Sequence, residues 1–273
     1  MVQRRPVPPC QKPTTAFHDG NKTVAENSIP AAEAAIAAGY AILPHILGTA
    51  RAAMTEATGW DSIIAHSELV VAFGGIPLKN AQVAAGGPGQ HMTGPYLEEA
   101  HAAGIQFVNV SPIRDDIADH LSPEWLAIRP NTDVALMLGL AHTLETEGLS
   151  DHEFLDTYCV GFPKFRDYLL GTNDANSKDA DWAASICELP ADEIRALARR
   201  MATSRTLINT NWSLQRGDHG EQTFWMTVTL AAMLGKIGLP GQGFGFGYGS
   251  MGNIGNPRQS SPSPALTIGK NET

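Results

Sequence analysis

The sequence predicts an α/β fold in which helices flank a mainly parallel sheet. Residues 67–75 and 105–112 are short, continuously apolar runs rich in β-branched residues, as is typical of parallel strands buried on both faces. A helical pattern, residues 94–104, lies between them. Strands that alternate with helices at this spacing predict βαβ units, so we expect an open parallel sheet.

The elements before and after this unit follow the same plan. Residues 1–28 are rich in Pro, Lys, Asn and Thr without a hydrophobic period, and predict a flexible lead-in. Residues 29–40 are rich in Ala and predict a helix, since Pro30 suits a first turn and Gly39 an end. Residues 124–133 then predict a third, short strand with a polar exit.

The second half of the chain is predicted to be helical up to a fourth strand. Residues 132–148 indicate a long helix, for which Thr132 or Asp133 can serve as the N-cap, and four shorter helices follow. Residues 205–212 predict the fourth strand, and its helix lies within the stretch that ends at residue 235. The last portion, 238–273, is crowded with Gly, Ser, Pro and Asn and predicts an irregular loop or tail.

The composition is that of an ordinary globular protein, and it excludes several classes of partner. The chain has 273 residues, of which 43% are hydrophobic and 17% charged, with a net charge of -9. Nucleic acids and anionic membranes both require a basic face, so neither is an expected partner. No apolar run approaches the roughly 20 residues that span a bilayer. We expect a soluble protein without a membrane span, and the choice between periplasm and cytoplasm stays open.

The sequence lacks the common motifs for metals and nucleotides. Cys10, Cys159 and Cys187 are widely spaced, so they alone form neither a zinc site nor an iron–sulfur cluster, and we interpret them as ordinary thiols. No G-x-G-x-x-G follows the first strand, and no Walker lysine motif, G-x-S-x-G or H-E-x-x-H occurs. The Gly-rich run at 243–249 lacks the strand–turn–helix context. A nucleotide ligand would therefore be held by a less common geometry.

Polar residues follow each predicted strand, and the carboxyl ends of parallel strands are where ligands of open sheets bind. These strand exits are residues 74–80, 110–116, 129–133 and 211–221. They combine short polar groups with nearby Arg or Lys. Backbone N–H groups at helix starts and a guanidinium fork together suit a phosphate or pyrophosphate.

Two charged residues at these exits have both a functional and an ordinary interpretation. The Asp133 carboxylate can accept two hydrogen bonds, from ribose hydroxyls or from the paired N–H donors of a guanine edge, or it can merely cap the helix. Arg216 can bind a phosphate, or it can pair with Asp218 or Glu221 at the surface. Similar alternatives stay open for the remaining candidates: Trp212 as a core residue, His219 as a helix-start residue and Lys79 as a solvated lysine.

Taken together, the exits resemble the central segment of the dimethyl sulfoxide reductase family of molybdopterin oxidoreductases. The group it resembles most contains the trimethylamine N-oxide, dimethyl sulfoxide, and biotin or methionine sulfoxide reductases. The resemblance covers residues 31–256 and is carried by five segments: SELVVAFGGIPLKN, FVNVSPIRDDIAD, WLAIRPNTDVALMLGLAHTL, WSLQRGDHGEQTFWMTVTLAAMLGKIGLPGQGFG and GNIGNPR.

The resemblance implies a bis-molybdopterin guanine dinucleotide cofactor with molybdenum, and reduction of an S-oxide or N-oxide by oxygen-atom transfer at the metal. It implies a Rossmann-like, dinucleotide-binding domain over 29–248, followed by a loop or tail over 249–273. Asp133 would recognise guanine and Arg216 would lie near the pyrophosphate. The other implied cofactor-binding residues are Val110, Ser111, Asn131, Thr132, Trp212, Ser213, Gln215 and Gly243, with His219, Pro77 and Lys79 as secondary candidates.

The resemblance also implies what the chain lacks. Members of the family are several times longer, and in this group a serine upstream of the present segment ligates molybdenum. We therefore expect no metal ligand and no catalytic residue in this chain, which would be a truncated chain inactive alone. A free-standing nucleotide-binding module and a non-functional remnant stay open as alternatives, and the electron donor is not indicated.

Overall fold

The structure is a computed structural model that describes residues 58–83 and 91–256. The predicted lead-in and the helix predicted over 29–40 lie outside the described residues. Within these ranges the chain forms one parallel sheet with the strand order β3-β2-β1-β4-β5. The strands are β1 Leu69–Phe73, β2 Gln106–Val110, β3 Glu124–Leu126, β4 Thr206–Thr210 and β5 Gly243–Phe246.

The central strand β1 pairs with β2 on one side and with β4 on the other. Val71 lies opposite Val108 of β2 and opposite Ile208 of β4, and both pairings are parallel. Since the chain leaves β1 towards β2 and β3 and later returns to place β4 on the other side of β1, the strand order reverses between β1 and β4. A reversal of this kind opens a crevice at the carboxyl ends of the two strands, which we call the switch point.

Helices cover both faces of the sheet. They are α1 Trp60–His66, α2 Thr93–Ala102, α3 Asp133–Thr146, α4 His152–Tyr158, α5 Phe162–Leu169, α6 Ala180–Cys187, α7 Ala191–Thr203 and α8 Glu221–Met233. Successive residues of β1 point to opposite faces, so Val71 joins the core beneath α3 and α8 while Val70 joins the core beneath α1 and α2. The predicted α/β fold with a parallel sheet flanked by helices is confirmed.

The third strand is shorter than predicted. The predicted short strand begins at residue 124 and has its polar exit at 129–133, but β3 ends at Leu126. The Arg129 backbone N–H donates to the Cys187 carbonyl at 3.0 Å rather than to a neighbouring strand. Pro130 has no N–H to contribute to a ladder. The exit of this strand is therefore a longer connection, which reaches α3 at Asp133.

The loop predicted over 238–273 contains a strand, so that prediction is wrong for residues 243–246. β5 pairs with β4 in parallel, from Leu207 opposite Gly243 to Thr210 opposite Phe246. The Phe246 ring also contacts the Phe224 ring of α8, with centroids 5.1 Å apart. Gly243 and Gly245 supply no side-chain pattern, so the strand depends on backbone hydrogen bonds to the free edge of β4.

Residues 247–256 pack against the domain. The Tyr248 side chain is buried, and the Gly252 N–H donates to the Val83 carbonyl at 2.7 Å. The Trp60 N–H donates to the Gly255 carbonyl at 2.9 Å, which ties this segment to the start of α1. The domain boundary at residue 248 stays a prediction. Among the described residues, no helix has the length and apolarity needed to cross a membrane.

Candidate functional site

The turns that leave β1 and β4 meet at the switch point. The Asn211 N–H donates to the Phe73 carbonyl at 2.9 Å, and the Gly74 N–H donates to the Val110 carbonyl at 2.8 Å. Gly74 and Gly75 have φ values of 75° and 69°, a left-handed conformation that favours glycine. A Cβ on Gly74 would lie 2.9 Å from the Asn211 Cβ. The glycine pair therefore allows the two strand exits to approach each other closely.

The polar residues after β4 form an exposed 3-10 turn, Trp212–Arg216, which we call the β4 exit turn. Asn211 caps it, because its side-chain Oδ1 accepts a hydrogen bond from the Ser213 N–H at 3.0 Å. Four side chains of the turn are exposed and only Leu214 packs against the core: the exposed ones are Trp212, Ser213, Gln215 and Arg216. Trp212 is 36% exposed, so it is not a core residue.

Arg216 does not form the surface ion pairs that were its ordinary interpretation. His219 lies near both proposed partners instead, with ring nitrogens 3.9 Å from the Asp218 carboxylate and 3.8 Å from the Glu221 carboxylate. Within residues 58–83 and 91–256, no carboxylate lies within ion-pair distance of the Arg216 guanidinium. The guanidinium fork is therefore available to an anionic ligand.

Asp133 is a buried carboxyl group at the first position of α3, and only 5% of the residue is exposed. Burial raises its pKa to about 6, against a smaller opposing effect of its own backbone N–H. It does not occupy the N-cap position, which belongs to Thr132, and the Thr132 hydroxyl donates to the Arg129 carbonyl at 2.6 Å. A desolvated carboxyl group at a strand exit is characteristic of functional sites.

Asn131 brings the β3 exit to the β4 exit turn. Its backbone has a φ of 63°, which is uncommon for a residue other than glycine. Its side-chain oxygen lies so close to Gly217 that a Cβ on this glycine would overlap it. Asn131 therefore lies next to Gly217, the residue that directly follows the β4 exit turn, although 86 positions separate the two in the sequence.

The side chains of the β2 exit are engaged within the protein. Val110 is fully buried. The Ser111 hydroxyl donates to the Asp116 carboxylate at 2.7 Å and accepts from the Ile113 N–H at 3.1 Å. Asp116 in turn lies 3.4 Å from the Lys79 ammonium group. The Val110 and Ser111 side chains thus support the neighbouring turns, and Pro77 is buried as well.

Gly243 is not brought to the switch point. As the first residue of β5 it lies opposite Leu207, near the amino-terminal end of the sheet, whereas the candidates lie at the carboxyl end. Phe246 lies three positions further along the strand, a distance of about 10 Å. The residues of this segment that do reach the site are Gly247 and Ser250. They were not among the predicted site residues, because no strand was predicted before them.

The described residues contain no group of three or more His, Cys, Asp or Glu side chains that could hold a metal ion. Cys159 and Cys187 are free thiols, and burial raises their pKa to about 12 and about 11, respectively. Thiols with raised pKa values are poor nucleophiles and poor metal ligands at neutral pH. Cys10 lies outside the described residues.

The chain is similar in sequence to proteins of one enzyme family. A family model described as Molybdopterin oxidoreductase matches residues 23–271. The chain is 46% identical to a biotin sulfoxide reductase of Cereibacter sphaeroides over 85% of this chain and 31% of that protein. It is 40% identical to a dimethyl sulfoxide/trimethylamine N-oxide reductase of the same organism, over 83% of this chain and 27% of that protein. A trimethylamine-N-oxide reductase of Haemophilus influenzae is 42% identical, over 77% and 25%.

The chain spans about a quarter to a third of the length of these relatives. Among solved structures, acetylene hydratase from Pelobacter acetylenicus is similar, with a TM-score of 0.50 and 24% sequence identity. The match covers 64% of this chain and 22% of that protein. At this identity the similarity concerns the fold alone.

Proposed function

The chain belongs to the molybdopterin oxidoreductase family, and we propose that its strand exits bind the guanine dinucleotide part of the cofactor in an enzyme that reduces S-oxides or N-oxides. The substrate class is supported by the names of the relatives, which are biotin sulfoxide, dimethyl sulfoxide and trimethylamine N-oxide reductases. The observation that carries the proposal is the close approach of Asn131 to Gly217, which brings the segment before the buried Asp133 to the end of the β4 exit turn.

The residues at the switch point fit such a ligand. Gly74 lets the exits of β1 and β4 pack closely at this edge of the sheet, and Arg216 presents a guanidinium group without a partner in the described ranges. The exposed Trp212 ring offers a flat apolar surface against a planar heterocycle. Asp133 supplies two carboxylate oxygens, which match the paired N–H donors on a guanine edge.

In this proposal the chain binds and orients the cofactor. When bound, the molybdenum centre would supply the two-electron transfer of an oxygen atom from the S-oxide or N-oxide. Asp133 would hold the base and Arg216 the phosphates of the dinucleotide. Small misplacements of a reacting group strongly reduce rates, and secure binding of the remote dinucleotide would therefore contribute to turnover.

Calorimetric titration of the 273-residue chain with GDP, and separately with ADP, tests the proposal. The two nucleotides share ribose and diphosphate and differ in the base. We expect GDP to bind more tightly by about tenfold to a hundredfold, since adenine offers no paired N–H donors to the Asp133 carboxylate. Equal affinities would contradict guanine recognition, and no binding of either nucleotide would contradict a dinucleotide site.

Replacing Arg216 by Ala is expected to weaken GDP binding by about tenfold or more, the usual effect of removing a charge-assisted hydrogen bond. The loss should shrink at high salt, because screening weakens the contact of the guanidinium with phosphate in the wild type. Titration with GDP at low and high salt measures both effects. Arg199→Ala is the matched control, since Arg199 lies near the end of α7 that leads into the start of β4, and it pairs with Glu147. Equal losses in the two variants would count against a phosphate contact.

A further inference from the structure

The loop that follows β5 lies directly against the β4 exit turn. The Gly247 N–H donates to the Thr210 carbonyl at 2.9 Å, which extends the pairing of β4 and β5 by one residue. Gly247 has a φ of 87°, and the Trp212 indole lies so close that a Cβ on this glycine would overlap the ring. The orientation of the exposed Trp212 ring therefore depends on a residue 35 positions later in the sequence.

Ser250 fixes the backbone of the same turn. Its hydroxyl accepts a hydrogen bond from the Trp212 N–H at 3.0 Å and donates one to the Asn211 Oδ1 at 3.1 Å. The same Asn211 oxygen accepts from the Ser213 N–H at 3.0 Å. The Ser250 N–H donates to the Gly247 carbonyl at 2.8 Å, so the serine is itself held in place. We call the contacts among Asn211, Trp212, Ser213 and Ser250 the Asn211–Ser250 clamp.

The orientation of the Asn211 side chain follows from its partners. A backbone N–H can only donate, so the atom 3.0 Å from the Ser213 nitrogen must be the amide oxygen. The Asn211 Nδ2 is then buried without a hydrogen-bond partner among the described residues. An Asp in this position would accept the same hydrogen bonds without a buried donor, but it would bury a negative charge. A buried side-chain donor without a partner is uncommon in native proteins.

We propose that Ser250 is a positioning residue of the dinucleotide site, which holds Trp212 and Ser213 in place through the Asn211–Ser250 clamp. This inference rests on the proposed function. An exposed turn of five residues loses conformational freedom when it binds a ligand, and ordering it beforehand reduces that cost. The clamp orders the turn through the Ser250 hydroxyl, which lies outside the turn. This hydroxyl accepts from the Trp212 backbone N–H and donates to the Asn211 Oδ1.

The test is titration of the 273-residue chain and its Ser250→Ala variant with GDP. Loss of the hydroxyl removes one acceptor and one donor, so we expect GDP binding to weaken by about fivefold to tenfold. Ser250→Thr retains the hydroxyl and is expected to restore the wild-type affinity. Ser185→Ala is the matched control, because the Ser185 hydroxyl donates to the Trp182 carbonyl on α6, away from the strand exits. It should leave GDP binding unchanged.

Hydrogen exchange at the Trp212 and Ser213 amides gives a readout of the clamp that does not depend on the ligand. Exchange should accelerate in Ser250→Ala and remain slow in Ser250→Thr. If Ser250→Ala bound GDP as tightly as the wild type, the inference would be overturned and the proposed function would stand. Absence of GDP binding by the wild type would overturn both. Loss of the cooperative thermal transition in Ser250→Ala would make the serine a structural residue and would also overturn the inference.

Discussion

Replacing Asp133 by Asn is expected to stabilise the fold and to weaken guanine binding at the same time. Burial raises the pKa of the Asp133 carboxyl group to about 6 from a usual value of 3.8. The folded state therefore holds the proton more tightly than the unfolded state. As pH rises from about 4 through 6, ionisation of this group costs the folded state stability, and the loss is complete above pH 6.

The neutral Asn side chain avoids this cost. The free energy of unfolding at pH 8 should be higher in Asp133→Asn than in the wild type by up to roughly 3 kcal/mol, the value of a shift of about two pH units. The difference should fall to about half at pH 5, where the wild-type carboxyl group is protonated in most folded molecules. Urea unfolding at several pH values measures it. A variant that is less stable than the wild type at pH 8 would contradict this account.

The effect on binding should have the opposite sign. An Asn side chain offers one acceptor and one donor, so its NH₂ group would face an N–H group of guanine, and we expect GDP to bind about a hundredfold more weakly. Wild-type affinity for GDP should also fall below pH 6, whereas the variant should lack this step. Asp218→Asn, at an exposed carboxylate beside the β4 exit turn, is the control and should change neither stability nor affinity appreciably. A variant of Asp133 with unchanged affinity would rule out base recognition by this residue.

Replacing Gly75 by Ala is expected to destabilise the switch point severely. A Cβ at this position would lie 2.5 Å from the Asp116 Cβ and 2.6 Å from the Asp116 carbonyl oxygen. That carbonyl accepts the Ile76 N–H at 2.8 Å, and it is backbone, which cannot simply rotate away. The left-handed φ adds roughly 1–2 kcal/mol and the overlap about 1–3 kcal/mol, so unfolding should become easier by several kcal/mol. Urea unfolding of the purified variant measures the loss.

Gly148→Ala separates the two contributions to this loss. Gly148 has a φ of 68°, almost the value at Gly75, but a Cβ there would meet nothing within 4 Å. Its replacement should therefore cost only the roughly 1–2 kcal/mol of the left-handed backbone. If both variants lost the same stability, the close approach between Gly75 and Asp116 would not contribute.

The predicted strands that proved correct are those whose own residues carry the signal. The predicted segments 67–75, 105–112 and 205–212 contain β1, β2 and β4, because a buried parallel strand is apolar on both faces. Their parallel arrangement followed from the helices between them. β5 escaped prediction because Gly243 and Gly245 have no side chains, and its pairing depends on a free strand edge that exists only once β4 has taken its place.

Some features of the candidate site are likewise visible in the sequence, and others depend on the fold. The polar character of the β4 exit turn is visible in the sequence, and the structure brings Asn131 to it as an exposed neighbour. The engagement of the Ser111 hydroxyl by Asp116 is not visible, because it depends on how the β2 exit folds back. The assignment of cofactor-binding roles to these residues stays a prediction, which the GDP titrations address.

The sequence by itself determined the class of the fold, the parallel sheet and the positions where polar residues leave the strands, since periodicity and apolar runs are local properties of the chain. Only the tertiary structure decided that Gly243 lies far from the other candidates and that Ser250 holds the β4 exit turn. It also decided that Asp133 is buried enough for its pKa to rise to about 6. Desolvation, close approach and hydrogen bonds between distant segments depend on which atoms surround a residue, and the order of residues along the chain does not specify them locally.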